Sequence, residues 1–381
     1  MSVETKYGFI SDAHTMEEKV PKAIDMLKKE GINYLVLNGD LSDSGMTPEE
    51  SQNYLASVLE AAGKSKIPTY VLPGNHETTV IYGSAMKEAL KKYSNIHDAL
   101  LEPKLTEKDH EIVFLPGADV GSGSGYYLVD RPGAGSGYVP IMAKLAEAGD
   151  EESPREEGNK KETKKKGKAG EKEGEGETAE KVVMVDLMHV SNMDDLRRLV
   201  TDPSKTIVVS HIPPKFTAST SVDYAAYGKA EKSFEVWAVQ YKDMAIEYVA
   251  IDSAEGASKT AEKLKKAGAE AVQPMYAIEK GSVCSKEMAA ELKSLGAPMS
   301  IDYGNVGSEA LAKIYKELGI KKAVNGHIHE SAGHANDLYE KPVPENTFVD
   351  SLFYNAGAIV EGQAGILKVS GDKVAYKNVR V

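Results

Sequence analysis

Five short apolar segments, each followed within a few residues by polar side chains, constrain this sequence more than any other feature. They are rich in β-branched and aromatic residues and have the length of buried strands. We predict strands at Tyr7–Ile10, Tyr34–Leu37, Thr69–Leu72, Thr206–Val209 and Lys322–Val324. A helical pattern lies between the first two, as in a parallel strand–helix–strand unit, so the chain is predicted to form an α/β fold.

The polar residues that follow these strands are candidate metal ligands. They are Asp12, His14, Asp40, Asn75, His76, His211, His327 and His329. In open α/β sheets the ligand crevice lies at the carboxyl ends of the strands, so we expect these side chains to converge. Carboxylate and imidazole without thiolate suit manganese, iron and zinc, and they differ from the ligands of a structural zinc site.

The local spacing supports shared ligands. Asp12 and His14 are two residues apart, as are His327 and His329, so each pair projects to one side of an extended segment. Asp40 has two carboxylate oxygens and can bridge two ions. The alternatives are turn or helix-capping roles for single residues, and these leave the neighbouring candidates unexplained.

The motifs Asp-x-His, Gly-Asp, Gly-Asn-His-Glu, a single His and Gly-His-x-His occur in the order that resembles the calcineurin-like metallophosphoesterase superfamily. The resemblance frames residues 7 to about 360. It implies a four-layer αββα sandwich with a site for two metal ions. One ion would be bound by Asp12, His14 and His329, the other by Asn75, His211 and His327. Asp40 would bridge the two ions, and His76 would be catalytic.

The resemblance also implies an activity. A hydroxide held between two divalent ions would attack phosphorus, in a phosphodiesterase or phosphatase that acts on a phosphorylated small molecule. Manganese is the expected metal, with iron or zinc as alternatives. Related protein phosphatases carry an arginine where this chain has Ser44, which disfavours a protein substrate.

The composition of the chain limits the classes of molecule that it is expected to bind. The net charge is −12, so nucleic acid is not favoured, although a metal-dependent nuclease stays an alternative. A second alternative is a catalytically silent binding or scaffold protein of the same fold, but such proteins typically lose ligands. The sequence leaves the oligomeric state open.

We predict one metallophosphoesterase domain over residues 1–381 with two inserted segments. Residues 150–180 carry 11 acidic and 8 basic residues and no aromatic residue, so this charged insert is expected to be disordered. Residues 215–305 are predicted to form a mostly helical cap. Helical patterns occur in this cap at Ser233–Val249, Ala257–Ala267 and Ser285–Leu295.

The sequence shows no apolar run long enough for a membrane-spanning helix and no signal-peptide pattern, so no membrane partner and a cytoplasmic location are expected. Cys284 is the one cysteine, which excludes a disulfide bond within the chain.

Overall fold

The computed structural model describes residues 4–43, 47–116, 126–131, 135–140, 195–242, 246–252 and 257–381. The predicted disordered insert at residues 150–180 lies outside them. No helix within these ranges is both long and apolar enough to cross a membrane.

The first sheet has six strands in the order β20-β19-β1-β2-β3-β4. The strands are β1 (Thr5–Ile10), β2 (Tyr34–Asn38), β3 (Thr69–Leu72), β4 (Ile96–Asp98), β19 (Gln363–Ser370) and β20 (Lys373–Arg380). Strands β1 to β4 are parallel, and the antiparallel pair β19–β20 extends the sheet next to β1. The helices that connect β1 to β4 are α1 (Lys19–Lys29), α2 (Pro48–Ser65) and α3 (Thr79–Lys92).

The second sheet also has six strands, in the order β17-β18-β16-β9-β6-β5. They are β5 (Lys104–Thr106), β6 (Glu111–Leu115), β9 (Thr206–Ser210), β16 (Lys322–Asn325), β17 (Ala335–Asn336) and β18 (Leu352–Asn355). The hairpin of β7 (Tyr126–Arg131) and β8 (Gly135–Pro140) and the helix α4 (Leu196–Leu199) lie between β6 and β9 in the chain. Four strands, β6, β9, β16 and β18, are parallel.

The two sheets pack face to face and carry helices on their outer faces. One apolar cluster lies between them, with Phe9 and Leu72 from the first sheet and Phe114 and Val209 from the second. A second cluster joins the outer faces to α1, α2, α3 and α4, and to the later helix α7 (Glu309–Leu318). Helix, sheet, sheet and helix thus form the predicted four-layer αββα sandwich, and the five predicted strands are confirmed.

The segment predicted as a mostly helical cap is built largely from strands. It contains β10 (Tyr224–Ala230), β11 (Phe234–Tyr241), β12 (Ile246–Asp252), β13 (Ala269–Ile278), β14 (Val283–Ser285) and β15 (Met299–Asn305), with two helices, α5 (Ala257–Lys266) and α6 (Lys286–Ser294). The strands form two three-stranded sheets, β14-β10-β15 and β12-β11-β13.

The helix predicted over Ser233–Val249 is wrong. Phe234 and Val236 pack in one apolar cluster, whereas Trp237 and Val239 pack in another, so β11 is buried on both faces. The buried side changes between Val236 and Trp237, and this change interrupts the regular alternation that marks a half-buried strand. The helical patterns at Ala257–Ala267 and Ser285–Leu295 are confirmed by α5 and α6.

Candidate metal centre

The eight predicted site residues lie at the carboxyl ends of five parallel strands. In the first sheet Ile10 pairs with Leu37 and Asn38 with Leu72, so the turns after β1, β2 and β3 meet at one edge. In the second sheet β9 and β16 are neighbours, which brings His211 next to the turn that carries His327 and His329. The imidazole rings of His211 and His327 lie 5.1 Å apart.

Four of these residues have left-handed backbone conformations. The φ angle is 53° at Asp12, 45° at His14, 50° at Asp40 and 69° at His327. Such angles are uncommon outside glycine, and they cluster at functional sites because the surrounding structure must hold them. Two hydrogen bonds do so here: Asp12 N donates to Gly39 O at 3.0 Å and His14 N donates to Asp40 O at 3.1 Å.

Asp12, His14 and His329 form the first group able to hold a metal ion. Nε2 of His329 lies 3.4 Å from Oδ1 of Asp12 and 3.3 Å from Nε2 of His14. The carboxylate of Asp12 is fully buried and also accepts the backbone N–H of His327, at 3.1 Å. Three ligand atoms are therefore gathered on one side of the site.

Asp40, His211 and His327 form the second group. His211 is fully buried, and its Nδ1 lies 2.8 Å from the carbonyl oxygen of Asn38, which accepts a hydrogen bond when Nδ1 is protonated. This contact leaves Nε2 facing the site, 3.0 Å from Oδ2 of Asp40. A backbone carbonyl that orients the second nitrogen is common behind metal-binding histidines.

Asp40 also belongs to the third group, with His14 and His76, and therefore lies between the first two. Nε2 of His76 lies 3.8 Å from Oδ2 of Asp40, and its Nδ1 lies 3.4 Å from Oδ1 of Asp43. His76 is 27% exposed at the mouth of the site. Asp43 is not among the residues predicted from the sequence; the signal that points to it is its spacing, three residues after Asp40.

Glu77 holds the turns after β2 and β3 together. Its fully buried carboxylate accepts the backbone N–H groups of Asp40, Leu41, Ser42 and Gly74, at 2.7 to 3.0 Å. Burial, together with the nearby carboxylate of Asp40, raises the pKa of Glu77. The four hydrogen bonds fix the backbone of Asp40 relative to the turn that carries Asn75 and His76.

Oδ1 of Asn75 is buried without a hydrogen-bond partner among the described residues, and Nε2 of His211 lies 3.0 Å from Oδ2 of Asp40 without the geometry of a hydrogen bond. Two glycines keep the space around the carboxylates clear. A Cβ atom on Gly74 would lie 2.2 Å from Oδ1 of Asp40, and one on Gly326 would lie 2.6 Å from Oδ2 of Asp12. Buried oxygen and nitrogen acceptors that converge without donors fit bound cations.

The pKa values of the two imidazoles in the second group are shifted in opposite directions. Burial alone would lower the pKa of His211, but the carboxylates of Asp40 and Asp12 raise it to about 10. Burial, with the neighbouring His211, lowers the pKa of His327 to about 4. A metal ion binds the neutral imidazole, so a cation here would replace the proton of His211 between the two carboxylates.

A family model for calcineurin-like phosphoesterases matches residues 5–249. The chain belongs to the calcineurin-like phosphoesterase family. The matched residues include β1, β2, β3 and β9 with the turns that follow them. Members of this family typically bind two divalent metal ions, and the three side-chain groups are candidate ligands for them.

Solved structures also resemble this phosphoesterase chain. The protein TT1561 of Thermus thermophilus matches with a TM-score of 0.44 and 11% identity, over 99% of this chain and 100% of that one. A dimetal phosphatase from Danio rerio matches with a TM-score of 0.43 and 9% identity, over 99% of this chain and 98% of that one. No curated protein matches the chain.

Proposed function

We propose that this phosphoesterase is a dimetal-dependent hydrolase of phosphoester bonds that acts on a small molecule. The observation that carries the proposal is that three groups of ligand atoms, drawn from the strand ends of both sheets, share Asp40 and His14. Asp12, His14 and His329 would hold one ion, and Asn75, His211 and His327 the other. Asp40 would bridge them.

The donor set favours manganese, with iron or zinc as alternatives. Imidazole, carboxylate and amide oxygen suit these ions, and the described groups contain no thiolate. Two divalent ions bound here would polarise the phosphoryl oxygens and lower the pKa of a water molecule. The protein contributes the buried carboxylates of Asp12 and Asp40, each of which accepts a backbone N–H group.

His76 is the proposed catalytic residue because it is accessible to a substrate and lies beside two carboxylates. It lies at the mouth of the site, and its two ring nitrogens face the carboxylates of Asp40 and Asp43. An imidazole in this position can donate a hydrogen bond to a phosphoryl oxygen or a proton to the leaving oxygen. Asp43 is a positioning residue in this scheme.

The test is hydrolysis of bis(p-nitrophenyl) phosphate and p-nitrophenyl phosphate with added Mn²⁺, for the native protein and Asp40→Asn. We expect turnover by the native protein and a loss of about 100-fold or more in the variant, as for removal of a group central to the transition state. Asp350→Asn is the matched control, because Asp350 is an exposed residue outside the three groups. Native protein that binds Mn²⁺ without cleaving either ester or single-stranded DNA would favour the scaffold alternative.

A further inference from the structure

The turn that carries His329 is hydrogen-bonded to the root of the inserted segment. The carbonyl oxygen of Val222, two residues before β10, accepts Oγ–H of Ser331 at 2.5 Å. The fully buried amide of Asn355 donates to the carbonyl oxygen of Ile328 at 2.8 Å and lies 3.4 Å from that of Val222. Ile328 and Ser331, on either side of His329, are thus held by Val222 at the root of the inserted segment and by Asn355 of β18.

A second contact joins this turn to helix α6 of the inserted segment, which directly follows the strand β14 that pairs with β10. Lys286, the first residue of α6, places Nζ 3.3 Å from Oε1 of Glu330, the residue directly after His329. Glu330 is the main cause of a raised pKa at Lys286, so the pair is attractive. Strand β10 also packs against this turn.

The backbone of its turn determines the position of the His329 ring, whereas the His211 ring has an additional contact that orients it. An Asn38 carbonyl outside the ligand groups orients His211. The polar contacts described for the His329 ring are with Asp12 and His14, which belong to its own ligand group, and 32% of its side chain is exposed. Its position therefore follows from the backbone of residues 328–331.

We propose that the inserted segment positions His329 through Ser331 and Lys286, and thereby sets the metal affinity of the Asp12–His14–His329 group. Ser331 and Lys286 are positioning residues, and the inference rests on the proposed function. Because binding linkage is reciprocal, a metal ion in this group also holds β10 and α6 against the turn.

The experiment measures Mn²⁺ binding to the full-length protein by equilibrium dialysis and by electron paramagnetic resonance, which separates coupled ion pairs from single ions. The variants are Ser331→Ala, Lys286→Glu, Glu330→Lys and the double charge swap. Lys215→Glu is the matched control, because Lys215 forms an exposed ion pair with Glu309 rather than with a residue of the turn that carries His329.

We expect Lys286→Glu and Glu330→Lys each to weaken one of the two Mn²⁺ sites by about fivefold, the upper range for a partly exposed ion pair. Ser331→Ala should weaken the same site by about tenfold, since its hydrogen bond is buried. The double swap should restore binding to within about twofold of native, and Lys215→Glu should leave both sites unchanged.

Two native-like sites in every variant, or no rescue by the swap, would overturn the inference. Native protein that binds fewer than two ions would instead contradict the proposed function. If the variants do not fold, hydrogen exchange of the native protein decides: Mn²⁺ should protect the amides of residues 222–230 and 283–290, and unchanged exchange there counts against the coupling.

Discussion

At the scale of single residues, the candidate centre depends on a carboxylate that binds no metal in our scheme. Glu77 accepts four backbone N–H groups from two turns while fully buried. Replacing one of its oxygens by an amide group leaves two of those donors facing another donor. Each unsatisfied buried group costs about 1–3 kcal/mol.

We therefore expect Glu77→Gln to lower the free energy of unfolding by about 2–4 kcal/mol. Chemical denaturation followed by circular dichroism measures this loss. The control is Glu88→Gln, which removes an exposed ion pair with Lys91 and should change stability by less than about 0.5 kcal/mol. Equal effects of the two substitutions would mean that the backbone hydrogen bonds to Glu77 do not stabilise the fold.

At the scale of elements, the turn after β3 packs directly against the carboxylate of Asp40 in the turn after β2. A Cβ on Gly74 would lie 2.2 Å from Oδ1 of Asp40, so Gly74→Ala must displace either the turn or the carboxylate. We expect weaker Mn²⁺ binding by roughly tenfold or more, measured by calorimetric titration, as for loss of a supporting contact around a metal ligand. Gly83→Ala, in helix α3 with open space at its Cβ position, should bind Mn²⁺ normally.

Sequence patterns predicted the helices and strands in which a single periodicity of apolar residues dominates. The strands before Asp12 and Asp40 are short apolar runs, and their parallel neighbours follow from the helix between them. The pattern failed in β11, because the buried side changes from Phe234 and Val236 to Trp237 and Val239, which interrupts the alternation of a strand. The sequence pattern also could not predict the contact of Asn38 with His211. These residues are 173 positions apart, and their contact depends on how the two sheets pack.

At the scale of the whole molecule, the inserted segment has the features of a separable unit. Its ends meet where Tyr224 pairs with Asn305 in adjacent strands. Two apolar clusters lie within it, and among the described residues neither large core cluster contains any residue from 224 to 305. At the root, the carboxylate of Asp223 accepts hydrogen bonds from the backbone N–H of Phe216 and from Nδ2 of Asn305, and so links the two ends of the segment.

We expect the αββα sandwich to fold when residues 225–304 are replaced by a short glycine-containing turn, because the two ends are already neighbours and loop closure costs little. Thermal unfolding should stay cooperative, and Mn²⁺ titration should retain the group of Asp40, His211 and His327. The group with His329 should bind more weakly, since its turn loses β10 and α6. If the chain without residues 225–304 fails to fold, the inserted segment stabilises the sandwich itself. An excised chain that folds with two native-like Mn²⁺ sites would show that the turn after β16 holds His329 without outside support.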